Sequence, residues 1–301
     1  MRKKGLTGFL KQADEAEDGT RELTGEWVYN KRLWRRMQDE YRVGSPTRTA
    51  SDSASSTHAS RERVIYWLHG GAFYVFSASS HRFLTIQVSK YTDTRIFALN
   101  YRLAPETRFP GALLDAAHGY FRLIYDLKIP PENIIFGGDS AGGGLVTALM
   151  LYLRDEKYPL PAGGILMSPW VDLTMSCASW DTNAVSLTSV RSCIKLTMGL
   201  QHFDYLPQPA NNDHLHPVKC YIAPESLAEY IIHPYASPLF GDFTGLPPLL
   251  IQCGDAERLR DEGTLLAHKA SLAGVKVEHE VYEDCVHVFQ VRSHFVELIN
   301  S

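Results

Sequence analysis

The sequence has few cysteines and shows no pattern among them. Of 301 residues, five are cysteine, at positions 177, 193, 220, 253 and 285. None belongs to a C-x-x-C pair, and an odd number without repeated spacing excludes a disulfide framework. We therefore expect free thiols in a reducing compartment and a cytoplasmic location.

Long apolar runs are absent as well. The basic start, MRKKGLTGFLKQADE, has an apolar stretch that breaks after Leu10. That stretch is too short for the core of a signal peptide or for a membrane span, and no other window is long enough to cross a bilayer. The sequence predicts neither a signal peptide nor a transmembrane segment.

Neither sign of charge is in large excess. The formal net charge is −4 and the isoelectric point is about 6.3. Without a broad basic surface, nucleic acid is excluded as an expected partner, and a small-molecule substrate is favoured. With 45% hydrophobic residues, the chain can bury a large core.

The first 62 residues differ from the rest of the chain. Residues 44–62, GSPTRTASDSASSTHASRE, carry almost no large apolar side chain, so burial cannot offset their loss of conformational entropy. The preceding KRLWRRMQDEYR has apolar side chains at helical spacing. We interpret residues 1–62 as an N-terminal cap helix followed by a flexible linker, and residues 63–301 as the main domain.

The main domain alternates short apolar runs with helical patterns. Six runs predict strands: RVIYWLH, TRIFALNY, NIIFGG, GGILMS, PPLLIQCG and KVEHEVY. Helices are predicted at 80–91, 111–127, 141–154 and 259–273. Continuous apolar strands separated by helices are typical of an α/β fold with a mostly parallel, doubly wound sheet. Residues 174–232 lose the alternation, and we interpret them as a lid inserted over the carboxyl edge of the sheet.

The stretch Gly138-Asp139-Ser140-Ala141-Gly142 joins a predicted strand to a predicted helix. A G-x-S-x-G turn in that position strains the serine and exposes its Oγ at the end of the sheet. The alternative is an ordinary glycine turn. The strand before it and the helix after it favour a nucleophile at Ser140.

A second signal is the segment His69-Gly-Gly-Ala-Phe73, which follows the strand RVIYWLH. Glycines there leave backbone N–H groups open to an oxyanion. We expect Gly70 and Gly71 to supply such donors, with Ala141 supplying a third. A glycine turn without this function is again the alternative.

A third signal is His287 in the segment EDCVHVF, after the last predicted strand. The chain order of nucleophile, acid and histidine is the order found in α/β-hydrolase triads. The acid should lie in the loop after PPLLIQCG, where four carboxylates compete: Asp255, Glu257, Asp261 and Glu262. The last two fall in a predicted helix, where helix-dipole and surface-charge roles explain them, so Asp255 and Glu257 remain open.

Taken together, these motifs resemble the hormone-sensitive-lipase-like family of α/β-hydrolase esterases, which includes arylacetamide deacetylases. The resemblance runs from about Arg63 to the C-terminus and rests on HGGAF, NYRLAPETRFPGALLDA, GDSAGGG, SPWVDL, SPLF, LPPLLIQCGDAERLRDE and VHVF. The segments GDAERLRDE and EDCVHVFQ resemble the fungal branch. The family resemblance implies an α/β-hydrolase fold with a helical lid or cap. It also implies a serine carboxylesterase acting on short- to medium-chain esters, such as an acetyl ester of a natural product.

The resemblance also implies roles for individual residues. Ser140 would be the nucleophile and His287 the base, and the family motif places the acid at Glu257, where most relatives have aspartate. His69 and Asp139 would support the motifs in which they lie.

The sequence departs from the family pattern at three places. Ala72 replaces the third glycine of the family's H-G-G-G, and Asn100 replaces an aspartate before Y-R-L-A-P-E. Where the family supplies N-terminal cap helices, this chain offers one convincing helix, so either the cap is reduced or residues 174–232 do its work. Arg102, Glu106 and Asp115 are expected to form a structural ion network near the site.

Two other functions use the same residues or the same fold. An amide hydrolase or deacetylase would use an identical triad. A non-catalytic receptor would resemble the plant gibberellin receptors, in which the triad histidine is lost, whereas His287 is retained here. The group Asp213, His214 and His216 lacks a fourth ligand at a recognised spacing, so we predict no metal, and nothing in the sequence implies a cofactor.

Overall fold

The computed structural model describes residues 5–43, 63–184, 204–207, 209–210 and 213–291. The predicted linker, 44–62, lies outside this range, as do residues 185–203, 208, 211 and 212 of the predicted lid. One sheet contains the strands β1 Thr24–Val28, β2 Val64–Leu68, β3 Arg95–Asn100, β4 Ile134–Asp139, β5 Gly163–Met167, β6 Leu249–Gly254 and β7 Val277–Tyr282.

Helices of very different lengths surround the sheet. They are α1 Lys11–Glu15, α2 Lys31–Val43, α3 Arg82–Thr92, α4 Gly111–Phe121, α5 Ala141–Asp155, α6 Ser179–Thr182, α7 Pro217–Tyr221, α8 Leu227–Tyr230 and α9 Arg260–Leu272. A π-helical turn, Arg122–Asp126, continues α4. In the part of the chain that the structure describes, no helix combines the length and the apolar character that crossing a bilayer requires.

The strand order in the sheet is β1-β3-β2-β4-β5-β6-β7. All neighbouring pairs are parallel except β1 with β3, which is antiparallel. The six predicted strands, β2 to β7, are confirmed. Strand β1 was not predicted, because it is an edge strand whose first residues are exposed and whose side chains give no continuous apolar run.

The core lies on both faces of the sheet. Along β2, Tyr66 and Leu68 pack into the apolar cluster that also contains the buried faces of α4, α5 and α9. The intervening Trp67 belongs to a second cluster, which includes Leu84 and Val88 of α3. Because successive side chains of a strand point to opposite faces, this division confirms the doubly wound arrangement.

The N-terminal segment is tied to the main domain by ion pairs. Buried Asp115 contacts both Arg102, at 2.9 Å between Nη2 and Oδ1, and Arg21. Arg102 also contacts Glu17 at 2.6 Å. The predicted pair of Arg102 and Asp115 is confirmed, whereas Glu106 is exposed and has no ion pair among the described residues. Glu17 and Arg21 complete the network instead.

Parallel strands bring distant parts of the sequence to one edge of the sheet. The loops after β2, β4, β6 and β7 carry, in that order, HGGAF, GDSAG, GDAE and EDCVH. The carboxyl ends of parallel strands share an edge, so these four loops lie where α/β proteins bind their ligands.

Candidate active site

The loop between β4 and α5 holds Ser140 in a rare backbone conformation. Its φ is 53° and its ψ is −125°, a region that costs a non-glycine residue about 1–3 kcal/mol. Three backbone hydrogen bonds hold it there: Ser140 N donates to Met167 O at 2.9 Å, and Ser140 O accepts from Trp170 N at 2.9 Å and Gly144 N at 3.1 Å. Strain at one serine, fixed by the end of the neighbouring strand, is the geometry of an exposed nucleophile.

Gly142 lets the serine turn approach the loop after β2. A Cβ at this position would overlap the carbonyl oxygen of Leu68 and lie 2.6 Å from that of His69. Because both obstacles are backbone atoms, rotation of a side chain cannot remove the clash.

We expect Gly142→Ala to lower the free energy of unfolding by about 2–4 kcal/mol, measured by denaturant titration. Gly245→Ala is the control, since Gly245 has a φ of +80° but has no atom within 3.7 Å of an added Cβ. The control should lose about 1 kcal/mol from its backbone conformation alone. A Gly142 variant no less stable than the control would contradict the close approach.

Asp139 lies beside the serine at the cavity, and two other side chains donate hydrogen bonds to its carboxylate. The carboxylate is buried and accepts hydrogen bonds from Trp67 Nε1 at 3.3 Å and His81 Nε2 at 3.1 Å. Burial acts to raise the pKa of Asp139, but the hydrogen bond and positive charge of His81 hold it below its usual value. The same contact raises the pKa of His81 against the effect of burial. The pair braces the serine loop against α3, and nothing in the sequence indicated His81.

The loop after β2 is held by buried contacts of His69 and lies close to Ser140. His69 is buried, its Nδ1 lies 2.7 Å from Gly70 O, and its ring stacks on Tyr101 at 4.3 Å. Burial lowers the pKa of His69 to about 4, so the imidazole is neutral at pH 7 and its Nδ1–H donates to Gly70 O. A methyl group on Gly70 would lie 3.1 Å from the Cβ of Ser140. His69 therefore shapes a loop that passes directly beside the serine.

The predicted N–H donors occupy different places in this arrangement. Gly71, with a φ of 113°, and Ala72, with a φ of 51°, line the cavity at Ser140. Gly70 and Ala141 are buried. Within the described range, the N–H groups of Gly70 and Gly71 donate to no backbone carbonyl. Of these two glycines, Gly71 lines the cavity and Gly70 does not.

The structure brings Glu257 and His287 together. Glu257 is fully buried, and its Oε2 lies 3.8 Å from Nδ1 of His287, an ion-pair contact that is longer than a hydrogen bond. Burial lowers the pKa of His287, but the Glu257 carboxylate outweighs it and the pKa is raised overall. Catalytic hydrogen bonds are often this long before substrate binds.

Ser168 holds the glutamate in place, a contact that the sequence analysis missed. Its Oγ donates to Glu257 Oε2 at 2.5 Å and accepts from Val288 N at 3.0 Å. Ser168 belongs to the segment SPWVDL, so the motif itself was the signal that could have indicated it. One hydroxyl thereby links the loop of Glu257 to the loop of His287.

The other candidate acids have different surroundings. In the described residues, Asp255 makes no ion pair with His287, and its Oδ1 is buried without a hydrogen bond. Asp261 accepts from Ser179 N at 2.9 Å. Buried Glu262 accepts from Val171 N at 2.7 Å and from Trp180 Nε1 at 3.0 Å. Asp261 and Glu262 therefore fasten the predicted lid segment, so surface charge does not explain Glu262.

Ser140 and His287 line one cavity of about 400 Å³. Its walls are mostly apolar and include Ala72, Phe76, Trp170, Trp180, Tyr205, Leu206, Leu259 and Val288. Phe73 does not line it, because its ring stacks on Tyr221 in the core at 3.8 Å. A larger cavity of about 790 Å³ beside β1 contains none of the predicted site residues. The cavity at Ser140 is therefore the candidate active site.

Comparison with known proteins shows the family of this chain. A family model described as the alpha/beta hydrolase fold matches residues 65–291. An acetyl-hydrolase of Streptomyces hygroscopicus is 36% identical over 75% of this chain and 68% of its own length. An esterase of Acinetobacter venetianus is 34% identical over 77% and 69%.

A solved structure extends the likeness to three dimensions. A hormone-sensitive lipase from a metagenome library shares 36% identity with a TM-score of 0.66, covering 78% of this chain and 73% of that one. The motifs, the sheet order and these comparisons lead to one conclusion. The chain belongs to the hormone-sensitive-lipase-like family of the α/β-hydrolase fold.

Proposed function

We propose that this protein is a serine carboxylesterase with Ser140, His287 and Glu257 as its catalytic triad. The observation that carries the proposal is the meeting of a strained serine and a histidine–glutamate pair at one apolar cavity. Ser140 Oγ attacks the ester carbonyl carbon while His287 Nε2 takes the hydroxyl proton. The alcohol leaves with that proton, and water then hydrolyses the acyl-enzyme with His287 as the base.

Glu257 acts on His287 and does not itself take the proton. Its carboxylate faces Nδ1, which fixes the tautomer that leaves Nε2 free to accept, and it stabilises the imidazolium that forms. The base works only when neutral. Since Glu257 raises the pKa of His287, the rate should increase with pH through that raised pKa.

The negative charge that develops on the carbonyl oxygen needs donors. We assign this role to the N–H groups of Gly70, Gly71 and Ala141, of which Ala141 opens helix α5. The positive end of the helix dipole at that point favours an anion. Alanine at position 72, where the family has a third glycine, does not remove the backbone N–H groups of Gly70 and Gly71.

The cavity supports small esters as substrates. Its volume of about 400 Å³ is near the lower end for ligand sites, and its walls are mostly apolar. Relatives bear the names acetyl-hydrolase and esterase. We propose short- to medium-chain esters, among them acetyl esters of natural products, with residues 174–232 as the lid and a fungal origin for the chain.

A panel of p-nitrophenyl acetate, butyrate and decanoate tests this function. We expect kcat/KM for butyrate to exceed that for decanoate by at least about 10-fold, because a cavity of about 400 Å³ surrounds a short acyl chain more completely than a long one. A fluorophosphonate probe should label the wild type in proportion to the lost activity. A protein that neither turns over an ester nor takes the label would contradict the esterase proposal.

The amide alternative is tested with p-nitroacetanilide. Because amides and esters would use the same three side chains, only the rates separate them. We expect kcat/KM for the anilide to lie below that for the acetate ester. The reverse order would make the protein an amide hydrolase.

A further inference from the structure

Asp204 is a buried carboxylate in the predicted lid segment that contacts two loops of the site. Its Oδ2 accepts a hydrogen bond from Arg258 N at 3.0 Å, one residue after Glu257. Its Oδ1 accepts from His287 N at 3.1 Å and from Tyr205 N at 2.9 Å. One side chain thus joins the backbone of the acid loop to the backbone of the histidine loop.

Asn183, which precedes Asp204 in the same segment, adds further contacts to the acid loop. Its Nδ2 donates to the carbonyl oxygens of Asp255, at 3.1 Å, and Glu257, at 2.8 Å. Asp204 N in turn lies 3.3 Å from Asn183 O, so the two residues are hydrogen-bonded to each other. Asp204 and Asn183 together therefore contact both an N–H group and carbonyl groups of the acid loop.

A fully buried carboxylate is costly unless its oxygens are hydrogen-bonded. Here each oxygen accepts at least one backbone N–H, from loops that follow the neighbouring strands β6 and β7. The strands fix their own spacing through the sheet, but the loops beyond them need separate contacts. Ser168 supplies one such contact without charge, and Asp204 supplies a charged one.

We propose that Asp204, assisted by Asn183, is a positioning residue that sets the separation between Glu257 and His287. This inference rests on the proposed function, because it assigns those two side chains to the triad. Asn183 and Asp204 then hold the acid and the histidine of the proposed triad in register.

The charge of Asp204 also acts on His287. The charges of three carboxylates raise the pKa of this imidazole: Glu257 in the acid loop, Asp204 in the lid segment and Asp139 in the serine loop. The ring of Tyr205 lies 6.0 Å away. Burial lowers the pKa of His287 and the carboxylates raise it, so removal of one negative charge must lower it.

Asp204→Asn tests the proposal against Asp181→Asn, which removes an exposed carboxylate from the same segment. For p-nitrophenyl butyrate, the Asp204 variant should lose about 10- to 100-fold in kcat per labelled site, because a displacement of about 1 Å has that effect. Its KM should stay within about threefold of wild type. The acidic limb of the pH profile of kcat/KM should move about 0.5–1 pH unit lower.

Asn183→Ala should lower kcat about 10-fold without moving the acidic limb of the pH profile, since an amide carries no charge.

Each result decides between positioning and structure alone. If the Asp204 variant matches Asp181→Asn in kcat and in pH profile, or loses thermal stability while kcat per labelled site stays at wild type, the proposal is wrong. If Asp204→Asn does not fold, Asn183→Ala decides, and an unchanged kcat overturns the proposal. A wild type that neither hydrolyses esters nor labels refutes the proposed function itself, so the two failures are distinguishable.

Discussion

Replacement of Ser140 by alanine is expected to lower kcat for p-nitrophenyl butyrate by about 10⁵- to 10⁶-fold and to abolish fluorophosphonate labelling. The hydroxyl is the atom that becomes acylated, and no other group at the strained turn can replace it. Alanine keeps the backbone at φ 53°, so the fold should persist. The free energy of unfolding should change by less than about 1 kcal/mol, which separates loss of chemistry from loss of structure.

The matched control for Ser140 is Ser79→Ala, an exposed serine outside the cavity. It should keep wild-type kcat and full labelling. A Ser140 variant that retained more than about one-tenth of the activity would place the nucleophile elsewhere. Mapping the labelled peptide by mass spectrometry in the wild type would then identify the residue that reacts.

The second large effect is expected at Glu257. Glutamine keeps the shape of the side chain but removes the charge and allows the wrong imidazole tautomer, so kcat should fall by about 10⁴-fold. With that carboxylate gone, the raised pKa of His287 should fall. The residual activity of Glu257→Gln should therefore begin to rise at a lower pH than that of the wild type.

Asp255→Asn is the paired control, because the sequence left both carboxylates as candidates. Asp255 makes no ion pair with His287 in the described part of the chain, so its variant should stay within about threefold of wild type. If kcat fell about 10⁴-fold in the Asp255 variant and only mildly in the Glu257 variant, Asp255 would be the acid. Equal mild losses would show that neither is the acid.

Local features of the sequence were enough to predict most secondary structure. The predicted helix 141–154 is observed as Ala141–Asp155, and the predicted helix 259–273 as Arg260–Leu272. Apolar runs and glycine turns can be recognised from a few consecutive residues, because the hydrogen bonds of helices and turns join residues that are close in the chain. Strand β1 escaped this reading because its first residues are exposed and it contains no continuous apolar run.

The sequence by itself determined the fold class, the order of the loops at the sheet edge and the placing of a serine at a strained turn. Pattern and glycine spacing determine these features, and the turn chemistry needs no distant partner. The family motif placed the acid at Glu257, and the tertiary structure shows that the carboxylate of Glu257 faces His287. Only the tertiary structure showed that His81 pairs with Asp139 and that Asp204 joins two loops. Each of these contacts joins segments far apart in the chain, and their distances depend on strand order and packing. A sequence pattern does not contain that information.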